Sequence, residues 1–194
     1  MKVKIQDYTY KKPITMIGHE AGVCWHGKNT PEANYKRGLD CLESQHGRTF
    51  EFPDIYLELD ENSARVIREW YTHIGGSPTR LQDSTRYIDM KDFKFYTPDS
   101  IRQNKEARKV YSHVMNEIAN AYDLLEHLGI PKEECAYVLP LSYETKIVCK
   151  INLRTFIEMC HQRLCSRALK EYRELMHAIC KELALYSEEW AYLD

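Results

Sequence analysis

The chain has 194 residues, 43% of them hydrophobic, and 27 Lys and Arg against 29 Asp and Glu for a net charge of -2. This length predicts one domain over residues 1–194, with apolar content sufficient for a packed core and incompatible with wholesale disorder. The charge balance argues against a dedicated binder of nucleic-acid polymers or membrane surfaces. The longest apolar run, Cys135 to Leu139, is far short of a membrane span, and Met1 to Asp7 carries no leader-like pattern, so a cytoplasmic protein is expected.

In chain order, Pro31 to Glu43 reads as a helix with Tyr35, Leu39 and Leu42 on one face. Arg48 to Leu59 alternates as a strand through Phe50, Phe52, Ile55, Leu57 and Leu59, with Pro53 marking an edge or bulge. Asn62 or Ser63 caps a helix running to about Ile74, with Ala64, Ile67, Trp70 and Tyr71 inward. Residues 75–99 read as a long loop, a kind that is usually functional in a compact domain. The longest helix is predicted from Pro98-Asp99-Ser100 to Gly129, with Ala107, Val110, Tyr111, Val114, Ile118, Tyr122 and Leu125 in the 3.6 period. A strand follows over Ser142 to Ile151, then helices over Asn152 to Leu164 and Ala168 to about Leu185. The fold class is therefore α+β, a small antiparallel sheet packed on long helices.

Seven cysteines, an odd number without a Cys-x-x-Cys pair, predict free thiols rather than a disulfide framework. Cys160-His161 with Cys165 lacks a fourth metal ligand at suitable spacing, so no metal is expected. Three segments concentrate polar groups. Arg68 to Tyr87 runs from a helix end through Gly75-Gly76 into hydroxyl, amide and guanidinium groups, where Arg80 and Arg86 suit a phosphate; composition alone fits a solvated loop slightly better. Asn152 to Leu164 starts with a natural N-cap and places Arg163 three turns on, on the same face as Asn152. Glu158 lies about 140° round the helix from Arg163, so the two are no matched pair. A snorkelling surface arginine is the ordinary alternative for Arg163. The turn Glu43 to Arg48 contains His46, a residue type more often structural than ligating in such a place. Phosphate-loop, dinucleotide and hydrolase-elbow motifs are absent.

In this order the segments resemble the flavin-dependent thymidylate synthases, from about Gly22 to the C-terminus. His46-Gly47-Arg48 before Thr49-Phe50-Glu51-Phe52 is similar to the family's Glu-His turn and strand. Ser84-Thr85-Arg86-Tyr87 matches its Ser-x-Arg-Tyr, and Val138-Leu139-Pro140-Leu141, Asn152-x-Arg154 and the spacing to Arg163 match its C-terminal half. The resemblance implies reductive methylation of dUMP to dTMP with FAD as cofactor and NADPH and methylenetetrahydrofolate as co-substrates. It implies Arg163 as the catalytic residue at the uracil edge. Glu69, Thr72, Arg80, Gln82, Ser84, Thr85, Arg86 and Tyr137 would join Arg163 around dUMP. His46, Thr72, His73, Ile74, Asn152, Arg154 and Glu158 would lie around FAD. A homotetramer with shared active sites is implied too.

The chain departs from the family's Arg-His-Arg signature, having Thr72-His73-Ile74 there, with nine residues instead of seven before Ser84. Tyr137 stands in place of a phosphate-gripping arginine, and Glu158 in place of a flavin-side asparagine. Losing two charge-assisted hydrogen bonds, at roughly 1.5–3 kcal/mol each, would weaken nucleotide binding about a hundredfold or more unless Arg80 compensates. Two alternatives stay open: a related flavin and folate enzyme modifying another pyrimidine nucleotide, for example by hydroxymethylation, and a non-catalytic nucleotide-binding relative.

Overall fold

The computed structural model describes residues 1–73 and 79–193. In chain order the elements are β1 (Lys2–Ile5), α1 (Pro13–Ala21), a 3-10 turn (Gly22–Trp25), α2 (Pro31–Glu43), a 3-10 turn (Gly47–Glu51), β2 (Asp54–Ser63), α3 (Ala64–Trp70) and β3 (Thr79–Gln82). Then come α4 (Asp99–Gln103), α5 (Lys105–His127), α6 (Lys132–Cys135), a 3-10 turn (Ala136–Val138), β4 (Glu144–Asn152), α7 (Leu153–Arg163), α8 (Lys170–Tyr186) and α9 (Glu188–Tyr192). The four strands form one antiparallel sheet in the order β1-β2-β4-β3, giving the expected α+β class.

Several elements follow from local chemistry. Thr30 caps α2 by accepting from the Ala33 N–H, and Pro31 sits at the first helical position, where its missing N–H leaves no bond unmade. Its buried face differs from the expected one. Asn34, Gly38 and Cys41 face inward, while Tyr35, Leu39 and Leu42 are only half-buried. The reason is a close helix crossing: a Cβ on Gly38 would strike the Ile14 carbonyl of α1, and one on Gly18 the Asn34 carbonyl of α2.

The predicted strand over 48–59 begins later. Gly47–Glu51 is a 3-10 turn, held by the Thr49 hydroxyl donating to the His46 carbonyl at 2.8 Å, and β2 starts only after Pro53. Ile55, Leu57 and Leu59 are then fully buried along one strand face. The expected single helix from residue 98 is broken at Asn104. That residue has extended backbone angles, and its side chain caps α5 by accepting from the Glu106 and Ala107 N–H groups. Val110 and Val114, counted in the periodic stripe, are 66% and 44% exposed. Part of the predicted loop at 75–99 is strand β3; residues 74–78, including Ile74 and the Gly-Gly turn, lie outside the described residues.

The chain divides into two compact units. One comprises Met1–Lys2, Leu59–Tyr71 and Leu81–Ile147; the other Val3–Glu58, Thr72–Arg80 and Val148–Asp194. In the first, Ile67 and Trp70 of α3, Met115 and Tyr122 of α5, and Cys135 and Ile147 are buried. The start of α3 is tied down there by the Ala64 and Arg65 N–H groups, which donate to the Tyr143 and Leu141 carbonyls.

In the second unit, Phe156 and Met159 of α7 and Tyr172, Leu175, Met176 and Ile179 of α8 are buried, as are Ile14 and Ile17 of α1. There α9 is pinned by Glu189, which accepts from the Thr15 N–H, and by the Trp190 indole, which donates to the Tyr10 carbonyl at 2.9 Å. The cysteines are free thiols: Cys41, Cys135 and Cys149 buried, Cys24 exposed, the others half-buried. Burial pushes the Cys149 thiol up to about 12.

Candidate active site

In the second unit, α7 and its N-cap carry four of the predicted residues. Asn152 is buried and acts as the N-cap, its Oδ1 accepting from the Thr155 N–H at 2.9 Å. Arg154 and Glu158, one turn apart, pair at 3.5 Å, and Arg154 Nη1 also donates to Glu51 Oε1 at 2.7 Å. The Arg154 guanidinium holds the Glu51 carboxyl below the usual carboxylate range. It lies beside Gly47, 3.9 Å from where a Cβ would stand. The neighbouring His46 has an exposed side chain on a fixed backbone, with its N–H donating to the Cys41 carbonyl at 2.9 Å. Arg154, although paired with Glu51 and Glu158, and His46, exposed on a fixed backbone, carry N–H groups of the kind that the diphosphate or carbonyl groups of FAD accept.

At the other end of α7, Arg163 is no snorkelling surface residue. Its Nε donates to His73 Nε2 at 2.9 Å, its Nη2 donates to Thr72 Oγ1 at 3.2 Å, and its guanidinium carbon stands 4.6 Å from the centroid of the Tyr172 ring. His73 meets the same Tyr172 ring edge-on at 6.2 Å. Burial, with the Arg163 charge next, lowers the His73 pKa from its ordinary value; Glu158 opposes this more weakly. Thr72, His73 and Arg163 are thus brought together, 90 residues apart in sequence. Arg80, on β3, is half-buried, and its charge acts on the buried Cys149 thiol of β4.

In the first unit, Ser84, Thr85 and Arg86 form a turn in which the Ser84 carbonyl accepts from the Tyr87 and Ile88 N–H groups. Thr85 and Arg86 line a cleft of ≈ 600 Å³ together with Tyr137, Glu133, Glu134 and Ala136. Tyr137 is 90% exposed there, and the Arg86 guanidinium lies over the Tyr87 ring at 5.3 Å. Ser84 and Thr85 also line a second cleft of ≈ 280 Å³ with Asp83, Tyr143, Glu144 and Thr145. Gln82 Nε2 donates to Thr145 Oγ1 at 3.2 Å, which connects it to that second cleft. Glu69, half-buried near the end of α3, lines neither cleft.

Tyr172 and Thr145 carry part of this arrangement and were not singled out from sequence. Tyr172 sits among Leu175, Met176 and Ile179 on the buried face of α8, where its periodicity signals core alone. Among the described residues no cluster of His, Cys, Asp or Glu could hold a metal ion, and no helix is long and apolar enough to cross a membrane.

The architecture is that of thymidylate synthase X from Helicobacter pylori, whose crystal structure was solved with FAD and dUMP. It superimposes with a TM-score of 0.74 over 94% of this chain and 93% of that one, at 19% identity. Beyond the fold, the model of the thymidylate synthase complementing protein family, Thy1, matches residues 4–186, and this chain belongs to that family. Similar relatives include the flavin-dependent thymidylate synthases of Pyrococcus furiosus, 32% identical over 95% of this chain and 79% of theirs, and of Pyrococcus horikoshii, 33% identical over 100% and 85%.

Proposed function

We propose that the protein is a flavin-dependent thymidylate synthase that methylates dUMP to dTMP with FAD, drawing on NADPH and methylenetetrahydrofolate as co-substrates. The observation that carries this is the fixing of Arg163 by Thr72, His73 and Tyr172 in a chain of this family. A guanidinium held in one orientation is suited to hydrogen-bond the uracil edge and to stabilise negative charge as N3 gives up its proton. Gln82, Ser84, Thr85, Arg86 and Tyr137 would bind the sugar and phosphate, and Arg80 would be a further cation for the phosphate. Arg154 and His46 would hold FAD, which supplies the redox chemistry when bound. Asn152 serves that site by fixing the start of α7, since its Oδ1 is engaged as the cap.

The test is Arg163→Ala: dTMP formation should vanish while flavin stays bound, and retained turnover would contradict the role. We also propose that 1–194 acts as one domain, supported by the family match over 4–186, in a cytoplasmic homotetramer with shared sites. The exposed apolar residues Val110, Val114, Leu124 and Leu128 along α5 and just past its end support assembly, which light scattering would read directly.

Product masses from a panel of pyrimidine nucleotides would test dUMP against other substrates.

A further inference from the structure

We propose that His73 and Tyr172 are positioning residues for Arg163: a neutral His73 imidazole, protonated on Nδ1, accepts the Arg163 Nε–H while the Tyr172 ring supports the guanidinium face. The proposal rests on the placing of Arg163 at the nucleotide, but its geometry stands independently of that placing.

An arginine side chain has donors only, so in the 2.9 Å contact the lone pair must belong to His73 Nε2. The imidazole is therefore neutral, and its one proton is on Nδ1. Thr72 Oγ1 takes a second donor, from Nη2, and the Tyr172 ring, its centroid 4.6 Å from the guanidinium carbon, limits the guanidinium's freedom on that side. Because His73 also packs edge-on against Tyr172, at 85° and 6.2 Å, one buried phenol ring sets both partners. Protonating His73 would leave two cations facing each other with no acceptor between them. The charged and titratable groups acting on His73 are Arg163 and Glu158 from α7, with the Tyr172 ring from α8; burial and Arg163 keep it neutral near pH 7. His73 thus acts through Arg163.

The experiment is 15N NMR of the intact protein labelled at histidine, with kinetics of two variants beside it. Near pH 7.5, His73 should show a pyridine-type signal at Nε2 and a pyrrole-type signal at Nδ1. Arg163→Leu should shift the Nε2 signal and raise the pH at which His73 titrates. His73→Leu should lower kcat/KM for dUMP about tenfold or more, and His73→Gln, which keeps an acceptor, should recover most of the loss and remove the acid limb of the pH profile. A proton on Nε2, or a His73 signal indifferent to Arg163→Leu, overturns the proposal. The tautomer needs no turnover to be read, so the expected spectrum in a protein inert toward dUMP would sink the thymidylate reading and leave the positioning contact standing.

Discussion

Asn152→Ala removes an N-cap that is 7% exposed and leaves the Thr155 N–H without its acceptor at the start of α7. Cap removal typically costs about 1 kcal/mol and reaches about 2, and burial of the orphaned donor places this case at the upper end. About 2 kcal/mol corresponds to a fall in Tm of roughly 4–8 °C for a chain of this size. Asn152→Asp keeps the acceptor, places a negative charge at a helix N-terminus and removes the carboxamide N–H donors, so it should lose less than half as much. Thermal unfolding followed by circular dichroism, with the flavin visible band recorded in parallel, separates the roles. If Ala and Asp destabilise equally, or Ala lowers Tm by less than about 1 °C, the cap is not what Asn152 contributes. If Asp leaves Tm intact but removes flavin, the residue serves both the helix and the cofactor.

Gly18→Ala and Gly38→Ala each force a Cβ into a facing backbone carbonyl, so each should cost about 3 kcal/mol and sharply reduce soluble, folded yield; a near-normal Tm would refute the close crossing. His73 titrates below its unfolded value of about 6.5, so the unfolded chain takes its proton first as pH falls. Stability should therefore decline from about pH 6.5 down through the folded value and level off below it. Urea midpoints at two pH values should show a smaller acid loss in His73→Gln, and an unchanged slope would contradict the shift. Arg86→Gln should raise KM for the nucleotide roughly tenfold or more by removing a charge-assisted bond, as steady-state kinetics would report.

What the sequence revealed depended on whether the signal was local. Helix α2 was legible to the residue, opening at Pro31, and α7 to within one residue at each end because Asn152 precedes it. Phe50 and Phe52 mimic strand alternation, so the 3-10 turn at Gly47–Glu51 was read as strand. Asn104 fits a helix interior in the continuous apolar period and reveals itself as a cap only through its backbone angles. The inward face of α2 was missed because glycine registers in no hydrophobic pattern, although Gly38 lies directly against the Ile14 carbonyl. At the site, Arg163 and His73 were both named, but no local spacing joins residues 90 positions apart, and Tyr172 looked like core because it is core.

The most direct test of the central claim is a titration of dUMP into the FAD-supplemented protein, followed through the flavin's visible absorption. A saturable spectral change is expected, lost in Arg163→Ala while the flavin remains bound. Bound flavin whose spectrum ignores dUMP would contradict dUMP as the substrate, and a protein that takes up no flavin would contradict the proposed activity altogether.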